Sequence, residues 1–204
     1  ALHFGEEPCI SGTQGSGTVF FSGCNLRCVF CQNFEISAEK HGRKISVIRL
    51  AEIFSELEAQ GAHNINLVTP THYSDKIITA VEIARKNGLQ IPVVYNCGGY
   101  ESADTIKALK GTVDIYLTDF KYVSPQLSEK YSNAPDYFKT AKKALAEMVH
   151  SCPEPVFENG VMKSGVIVRH LVLPGCTDDS KRVLRYLYNE YGNKIYISIM
   201  SQYT

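Results

Sequence analysis

The chain contains no tryptophan and only three methionines among its 204 residues, and it has no apolar run approaching the about 20 residues of a transmembrane helix. Its formal net charge is also zero, because 21 Lys and Arg balance 21 Asp and Glu. We therefore expect neither a nucleic-acid partner nor a membrane partner. The first residues, 1–5, lack a signal-peptide pattern, so a cytoplasmic location is predicted.

Seven cysteines are present, and an odd number in a chain of this length indicates metal or redox use more than a disulfide framework. Cys24, Cys28 and Cys31 follow a short apolar strand in a CxxxCxxC pattern. Three thiolates on one loop can hold a metal centre and leave one coordination position free. The alternative is a zinc site closed by a distant fourth ligand, Cys9 or Cys97.

Short apolar runs alternate with helical patterns along the rest of the chain. Apolar runs without alternation are typical of strands buried on both faces, so we predict an α/β fold with a parallel sheet. The pattern leaves open whether the sheet is doubly wound or a barrel. Strands are predicted at 18–21, 64–69, 91–96, 113–118, 165–173 and 194–200, and helices at 49–60, 74–87, 103–109, 132–150 and 178–190.

The predicted organisation is an irregular N-terminal arm, residues 1–17, and one domain, residues 18–204. Residues 122–135 are predicted to be a long loop. The sequence stops just after a strand-like run and without a terminal helix, so we expect a fragment of a longer protein.

The reactive residues of parallel β/α folds lie at the carboxyl ends of the strands. In this chain those ends carry the three cysteines and the segments 69–73, 96–100, 119–121 and 174–179. We expect all of these segments to face one cavity. Asn96 lies at one of these ends, beside the two glycines 98 and 99 that allow close backbone approach.

The cysteine pattern, with Phe30 just before the third cysteine, resembles that of the radical S-adenosylmethionine (radical SAM) superfamily. The surrounding GSGTVFFSGCNLRCVFCQN looks like the branch of pyruvate formate-lyase activating enzymes, particularly its PflX-like members. This resemblance implies a partial (β/α)6 barrel. It also implies a 4Fe-4S cluster on Cys24, Cys28 and Cys31 that cleaves SAM reductively to a 5′-deoxyadenosyl radical, which abstracts hydrogen from a substrate.

The resemblance further implies partners. An electron donor such as flavodoxin or ferredoxin would reduce the cluster. The substrate would be a small molecule or a protein, in the nearest activity a glycyl radical enzyme that the chain would activate. The rival hypothesis is a non-catalytic zinc or iron-sulfur protein that uses the cysteine loop as a structural or sensing site.

Several residues match cofactor-binding positions of this family. Asp119-Phe120-Lys121 resembles an Asp-Leu-Lys element, which makes Lys121 the candidate for the SAM carboxylate and Asp119 its polar partner. Phe30, by resemblance, packs near the adenine. Arg169 and His170 match a basic position near cofactor or substrate, but adjacent residues of a strand point to opposite faces, so at most one enters the cavity.

One position departs from the family pattern. Many relatives carry Gly-Gly-Glu after the second strand, where the methionine amine is received, whereas this chain has Val68-Thr69-Pro70-Thr71-His72. Thr69, Thr71 or backbone carbonyls are the candidate replacements for binding the amine, and Asn96 is the candidate for binding the ribose of SAM. We expect no carboxylate at this place.

Overall fold

The computed structural model describes residues 1–39 and 41–201, which form an α/β fold around an eight-stranded sheet. Its strands are β1 (Leu2–His3), β2 (Ser16–Phe20), β3 (Ile65–Val68), β4 (Val93–Cys97), β5 (Ile115–Asp119), β6 (Val156–Glu158), β7 (Val161–Leu171) and β8 (Tyr196–Met200). Two of the eight, β1 and β6, pair antiparallel with a neighbour, which leaves six parallel strands in the order β2-β3-β4-β5-β7-β8. Among the described residues no pairing joins β8 to β2, so the sheet curls without closing. The predicted α/β partial barrel of six parallel strands is confirmed.

Helices connect successive parallel strands. The longer ones are α3 (Val47–Ala59), α4 (Ser74–Lys86), α7 (Tyr137–Ser151) and α8 (Thr177–Tyr191), and the shorter ones are α1 (Pro8–Ser11), α2 (Phe34–Ser37), α5 (Ala103–Ala108) and α6 (Pro125–Ser132). Short 3-10 turns cover Thr71–Tyr73 and Gly192–Lys194. No helix in the described part of the chain combines the length and apolarity needed to cross a bilayer.

The central strands of the sheet, β3, β4 and β5, are buried on both faces. On the outer face, Ile65 and Leu67 of β3 pack against α3 and α4, whose apolar residues recur at helical spacing. On the inner face, Val94, Ile115 and Ile167 form a separate core cluster. This double burial explains why the strands are continuous apolar runs.

The N-terminal 17 residues are more ordered than predicted, since they contain β1, α1 and the start of β2. Helix α1 packs on the inner face of the sheet, where fully buried Ile10 joins the cluster of Ile115 and Ile167. The Ile10 carbonyl accepts a hydrogen bond from Asn64 Nδ2 at 2.8 Å. Burial of one such side chain contributes about 1.5–3 kcal/mol. The domain boundary after residue 17 stays a prediction.

The predicted loop at residues 122–135 is wrong, because α6 occupies its centre. Pro125 is the first helical residue, and the Ser124 hydroxyl accepts a hydrogen bond from Leu127 N at 3.4 Å. Asn133 ends the helix in the left-handed conformation, with φ 53°. A Ser-Pro pair is a signal for turns as well as for helix starts, and eight residues give a weak helical pattern.

Strand β7 begins four residues earlier than the predicted start at 165, because β6 pairs with its first part. The two strands are joined by Asn159 and Gly160, which both have positive φ, 51° and 78°. Asn-Gly between two strands is typical of a tight hairpin. The sequence between the helix predicted at 132–150 and the strand predicted at 165–173 is polar and contains glycine, so no strand is predicted there.

Candidate active site

The cysteine loop leaves the carboxyl end of β2, and each of its sulfurs has a hydrogen-bonding neighbour. Cys24 Sγ accepts from Leu26 N at 3.4 Å. Cys28 Sγ lies 3.0 Å from Ser132 Oγ, and Cys31 Sγ lies 3.2 Å from Ser37 Oγ. Polar contacts of this kind orient and stabilise thiolate ligands of a metal centre.

Helix α6 supports the loop. Arg27 N donates to Ser132 O at 3.0 Å, and Val29 N donates to Tyr131 O at 2.9 Å. Ser132 therefore contacts the loop through both its carbonyl and its hydroxyl. Sequence reasoning missed Ser132 and Ser37 as site residues, because no local motif marks a serine whose role depends on a tertiary contact.

Burial and one nearby lysine act on the pKa of Cys24, the first cysteine of the loop. Burial raises the pKa of the Cys24 thiol, and the charges of Cys28 and Cys31 act in the same direction. The Leu26 amide and the Lys121 ammonium oppose this increase. The net effect favours the thiol form of Cys24, and a bound metal centre would favour the thiolate instead.

A cluster of charged side chains lies on the inner face, at the carboxyl ends of β5 and β7. Asp119 Oδ2 accepts from Lys121 Nζ at 2.6 Å, and Asp119 Oδ1 accepts from Arg169 Nε at 3.0 Å. Arg169 Nη2 donates to Asn96 Oδ1 at 2.7 Å. Only 14–18% of the three charged side chains is exposed, so their charges are weakly screened.

These ion pairs control the protonation of the cluster. Burial raises the pKa of Asp119, but the charges of Lys121 and Arg169 outweigh it and hold that pKa below the usual value. Burial lowers the pKa of Lys121, but Asp119 and Cys28 act more strongly, and the net pKa is raised. At neutral pH the three residues are therefore charged.

The cluster adjoins the cysteine loop through Phe30. Lys121 Nζ lies 5.7 Å from the centre of the Phe30 ring, within the range of a cation–π contact. Thr69 N, at the end of β3, donates to Asn96 O at 2.9 Å. The structure thus brings Phe30, Thr69, Asn96 and the three charged residues to one end of the sheet.

His170 is separated from this group. Strand alternation places Arg169 on the inner face and His170 on the outer face, where His170 is 1% exposed. Its Nδ1 lies 2.8 Å from the Phe120 carbonyl oxygen, and burial lowers its pKa. Arg169 is therefore the member of the pair that reaches the charge cluster.

A carboxylate does contact the loop after β3, contrary to the sequence-based expectation. Glu101 is 1% exposed, and its Oε1 accepts from Thr71 Oγ1 at 2.8 Å. Its Oε2 lies 3.4 Å from Tyr95 Oη. The sequence does carry a signal, since this glutamate lies two residues after Gly98-Gly99, at the end of β4. The expectation concerned only the residues directly after β3.

Glu101 gives a pH-dependent contribution to stability. Burial raises its pKa from 4.5 to about 7, despite hydrogen bonds from Thr71 and Tyr95 that act in the opposite direction. Between these two values the folded chain binds more protons than the unfolded chain, so stability falls as pH rises. From pH 5 to pH 8 we expect wild type to lose about 2 to 3 kcal/mol more than Glu101→Gln.

Urea unfolding of both proteins at pH 5 and pH 8 measures this difference. Glu82→Gln, which alters an exposed carboxylate on α4, should follow wild type. If the free energy of unfolding depends on pH equally in wild type and Glu101→Gln, the pKa of Glu101 is the same in the folded and the unfolded chain, contrary to this prediction.

The residues present fit an iron-sulfur cluster by their donor set. Three cysteine sulfurs on one loop can each bind one iron of a 4Fe-4S cluster, and the fourth iron is then free for another ligand. Within residues 1–39 and 41–201, no three His, Cys, Asp or Glu side chains form a group able to hold a single metal ion. Of the proposed fourth zinc ligands, Cys9 packs in the inner core cluster, and Cys97 contacts Thr118 Oγ1 at 3.4 Å.

Comparison with known proteins agrees with this chemistry. The family model described as the Radical SAM superfamily matches residues 18–187. The uncharacterized protein MJ0674 of Methanocaldococcus jannaschii is 31% identical over 212 residues, which cover 99% of this chain and 56% of that protein. A second uncharacterized protein of the same organism, MJ0808, is 27% identical over 84% of this chain and 48% of its own length. The chain therefore spans about half the length of the curated relatives it matches.

A solved structure shares the fold. The FeFe-hydrogenase maturase HydG of Carboxydothermus hydrogenoformans superposes with a TM-score of 0.61 at 10% identity. The match covers 92% of this chain and 46% of HydG. At this identity the likeness concerns the fold alone.

Proposed function

This chain belongs to the radical SAM superfamily, and we propose that it cleaves SAM reductively and directs the resulting radical to a substrate bound above the charge cluster. Members of the superfamily use a 4Fe-4S cluster and SAM. The observation that carries the proposal is the juxtaposition of the three-cysteine loop with the buried cluster of Asp119, Lys121 and Arg169. The zinc-binding alternative has no comparable use for that cluster.

Cys24, Cys28 and Cys31 would hold the iron-sulfur cluster. When bound, the cluster supplies one electron that breaks a carbon–sulfur bond of SAM, which yields methionine and the 5′-deoxyadenosyl group that takes hydrogen from the substrate. Ser132 and Ser37 would orient two of the thiolates. The protein contributes mainly binding, orientation and exclusion of water.

The charge cluster supplies groups that complement the charges of SAM. Lys121 is the cation for the methionine carboxylate of SAM, and Asp119 holds the ammonium group of Lys121 in place. Phe30, beside Lys121, offers an apolar ring for the adenine. Arg169 adds a second cation.

The loop after β3 would receive the amine. Thr69 has φ 58°, which is uncommon for a residue other than glycine and presents its backbone at an unusual angle. Thr71 is held in place by its hydrogen bond to the buried Glu101. The amine would thus meet oxygen acceptors without the Gly-Gly-Glu element.

The electron donor we propose is a flavodoxin or ferredoxin, since members of the superfamily typically need a reductant of this kind. None of the seven cysteines, which all lie within the described residues, forms a disulfide, and this supports a reducing compartment and a cytoplasmic location.

We further propose that the chain belongs to the pyruvate formate-lyase activating branch and that its substrate is a glycine in a partner protein. Two exposed apolar side chains near the thiols support a protein substrate: Val29, 72% exposed, and Phe34, 55% exposed. Mixing the reduced protein, SAM and a glycyl radical enzyme should then give an organic radical signal in electron paramagnetic resonance.

The decisive experiment is anaerobic reconstitution with iron and sulfide, followed by dithionite and SAM. We expect about four irons per chain and formation of 5′-deoxyadenosine. A single zinc in protein purified without oxygen, together with no 5′-deoxyadenosine, would support the zinc-binding alternative instead. A full cluster without product would mean that SAM binding has been lost.

A further inference from the structure

The N-terminal segment before α1 places a carboxylate inside the candidate site. The side chain of Glu6 is only 12% exposed. Its Oε2 lies 3.4 Å from Arg169 Nη1, and its Oε1 lies 3.4 Å from Asn96 Nδ2. Glu6 thus joins the charge cluster from residues 1–17, which are predicted from the sequence to be an arm outside the domain.

Glu6 is held firmly by its neighbours in the chain. Its backbone N–H donates to Ser11 Oγ at 3.1 Å, which ties it to α1. Helix α1 is in turn fixed to the sheet by Ile10, which is fully buried. The backbone at Glu6 is therefore fixed, and a ligand that used its carboxylate would not have to order this segment of the chain.

The other polar acceptors of the cluster are more strongly engaged. Asn96 is hydrogen-bonded at both ends of its amide, with its oxygen 2.7 Å from Arg169 Nη2 and its nitrogen facing Glu6. Asp119 accepts from Lys121 and Arg169 at 2.6 and 3.0 Å. Both contacts of Glu6, at 3.4 Å, exceed the usual 2.7–3.2 Å range, so its oxygens are the least committed acceptors of the group.

A ribose presents two adjacent hydroxyl donors, and an ionised carboxylate has acceptors only. Such a carboxylate is the acidic group that binds a ribose diol in dinucleotide-binding folds. Resting on the function proposed above, we propose that Glu6 binds the ribose hydroxyls of SAM. Asn96, which the sequence suggested for this role, then positions Glu6 and Arg169.

Binding of SAM and of its 2′-deoxy analogue to the reconstituted protein tests this assignment. By equilibrium dialysis, wild type should prefer SAM about tenfold, because a hydrogen bond to a charged group is lost with the 2′-hydroxyl. In Glu6→Gln the affinity for SAM should fall about tenfold, and the preference should shrink to about twofold or less. Glu82→Gln, on the exposed side of α4, should behave as wild type.

A role of Glu6 in holding Arg169 alone predicts a different result. Affinity for both ligands would then fall equally in Glu6→Gln and the preference would persist, which would overturn the proposal. No preference in wild type would overturn it as well. If circular dichroism shows that Glu6→Gln does not fold, Glu6→Asp, which keeps the charge on a shorter side chain, is compared in the same way and should lose most of the preference.

The outcomes also separate this inference from the proposed function. If wild type forms 5′-deoxyadenosine but Glu6→Gln keeps the preference for SAM over the 2′-deoxy analogue, only the assignment of Glu6 is overturned. If wild type carries a full cluster but binds neither SAM nor the analogue, the proposed function is overturned, and the assignment of Glu6 is overturned with it.

Discussion

Cys28→Ala is expected to abolish both the iron-sulfur cluster and the cleavage of SAM. Cys28 is the middle cysteine of the loop, and Ser132 Oγ lies 3.0 Å from its sulfur. A cluster held by only two of its three cysteines is poorly retained, so iron should fall from about four per chain to near zero after desalting. The measurement is iron and sulfide content together with 5′-deoxyadenosine formation.

Cys152→Ala is the matched control for this loss. Cys152 is a free, buried cysteine at the end of α7, outside the cysteine loop and outside the strand ends that carry the candidate site. Its variant should keep a full cluster and wild-type product formation. Retention of four irons by Cys28→Ala, with unchanged thermal unfolding, would mean that the cluster is bound elsewhere.

Gly99→Ala is expected to destabilise the fold severely and to distort the site. Gly99 follows β4 with φ 79°, a conformation that costs an L-residue about 1–2 kcal/mol. An added Cβ would also collide with the Asp119 carbonyl oxygen and would lie 2.8 Å from Tyr137 Oη. Because one of these neighbours is backbone, the collision adds about 1–3 kcal/mol or more. Urea unfolding should show a total loss of about 3 kcal/mol or more.

Tyr137 explains why the damage should reach the active site. Its hydroxyl donates to the carbonyl oxygen of Gly98 at 2.8 Å and accepts from Lys121 N at 3.0 Å. Displacement of this hydroxyl would move the backbone of Lys121. SAM affinity of any folded Gly99→Ala protein should therefore fall as well.

Gly111→Ala separates backbone strain from collision. Gly111 has φ 81°, almost the same as Gly99, but its added Cβ would meet no atom within 4 Å. Its variant should lose only about 1 to 2 kcal/mol and keep SAM affinity. Equal losses of unfolding free energy in the two variants would show that the atoms around Gly99 move to accommodate the added Cβ at little cost.

Much of the fold was predictable because parallel strands buried on both faces leave a local signal. The runs around Leu67, Val94, Leu117 and Val168 are apolar without alternation, and each predicted strand is present within a few residues of its expected bounds. The elements that the sequence did not predict are short or depend on pairing with another strand. Helix α6 has only eight residues, and β6 is stabilised by its hairpin with β7.

The candidate site was predictable only where its residues follow a strand end. Cys24, Asp119 and Lys121 are recognised from their place in the sequence, because the carboxyl ends of parallel strands meet at one edge of the sheet. Ser132 has no such signal, and Glu101 follows the end of β4 rather than the end of β3, whose loop it contacts. Their roles follow from contacts with Thr71 and Cys28, which lie 30 and 104 residues away.

The sequence by itself determined the parallel α/β class, the three-cysteine loop and the family, because each of these depends on residue type at short spacing. Only the tertiary structure decided that Arg169 rather than His170 reaches the charge cluster, and that α1 lies on the inner face of the sheet. It alone brought Glu6 to Arg169, across 163 residues of chain. The physical reason is that curling of the sheet decides which buried polar groups meet, and no local pattern of residues encodes that meeting.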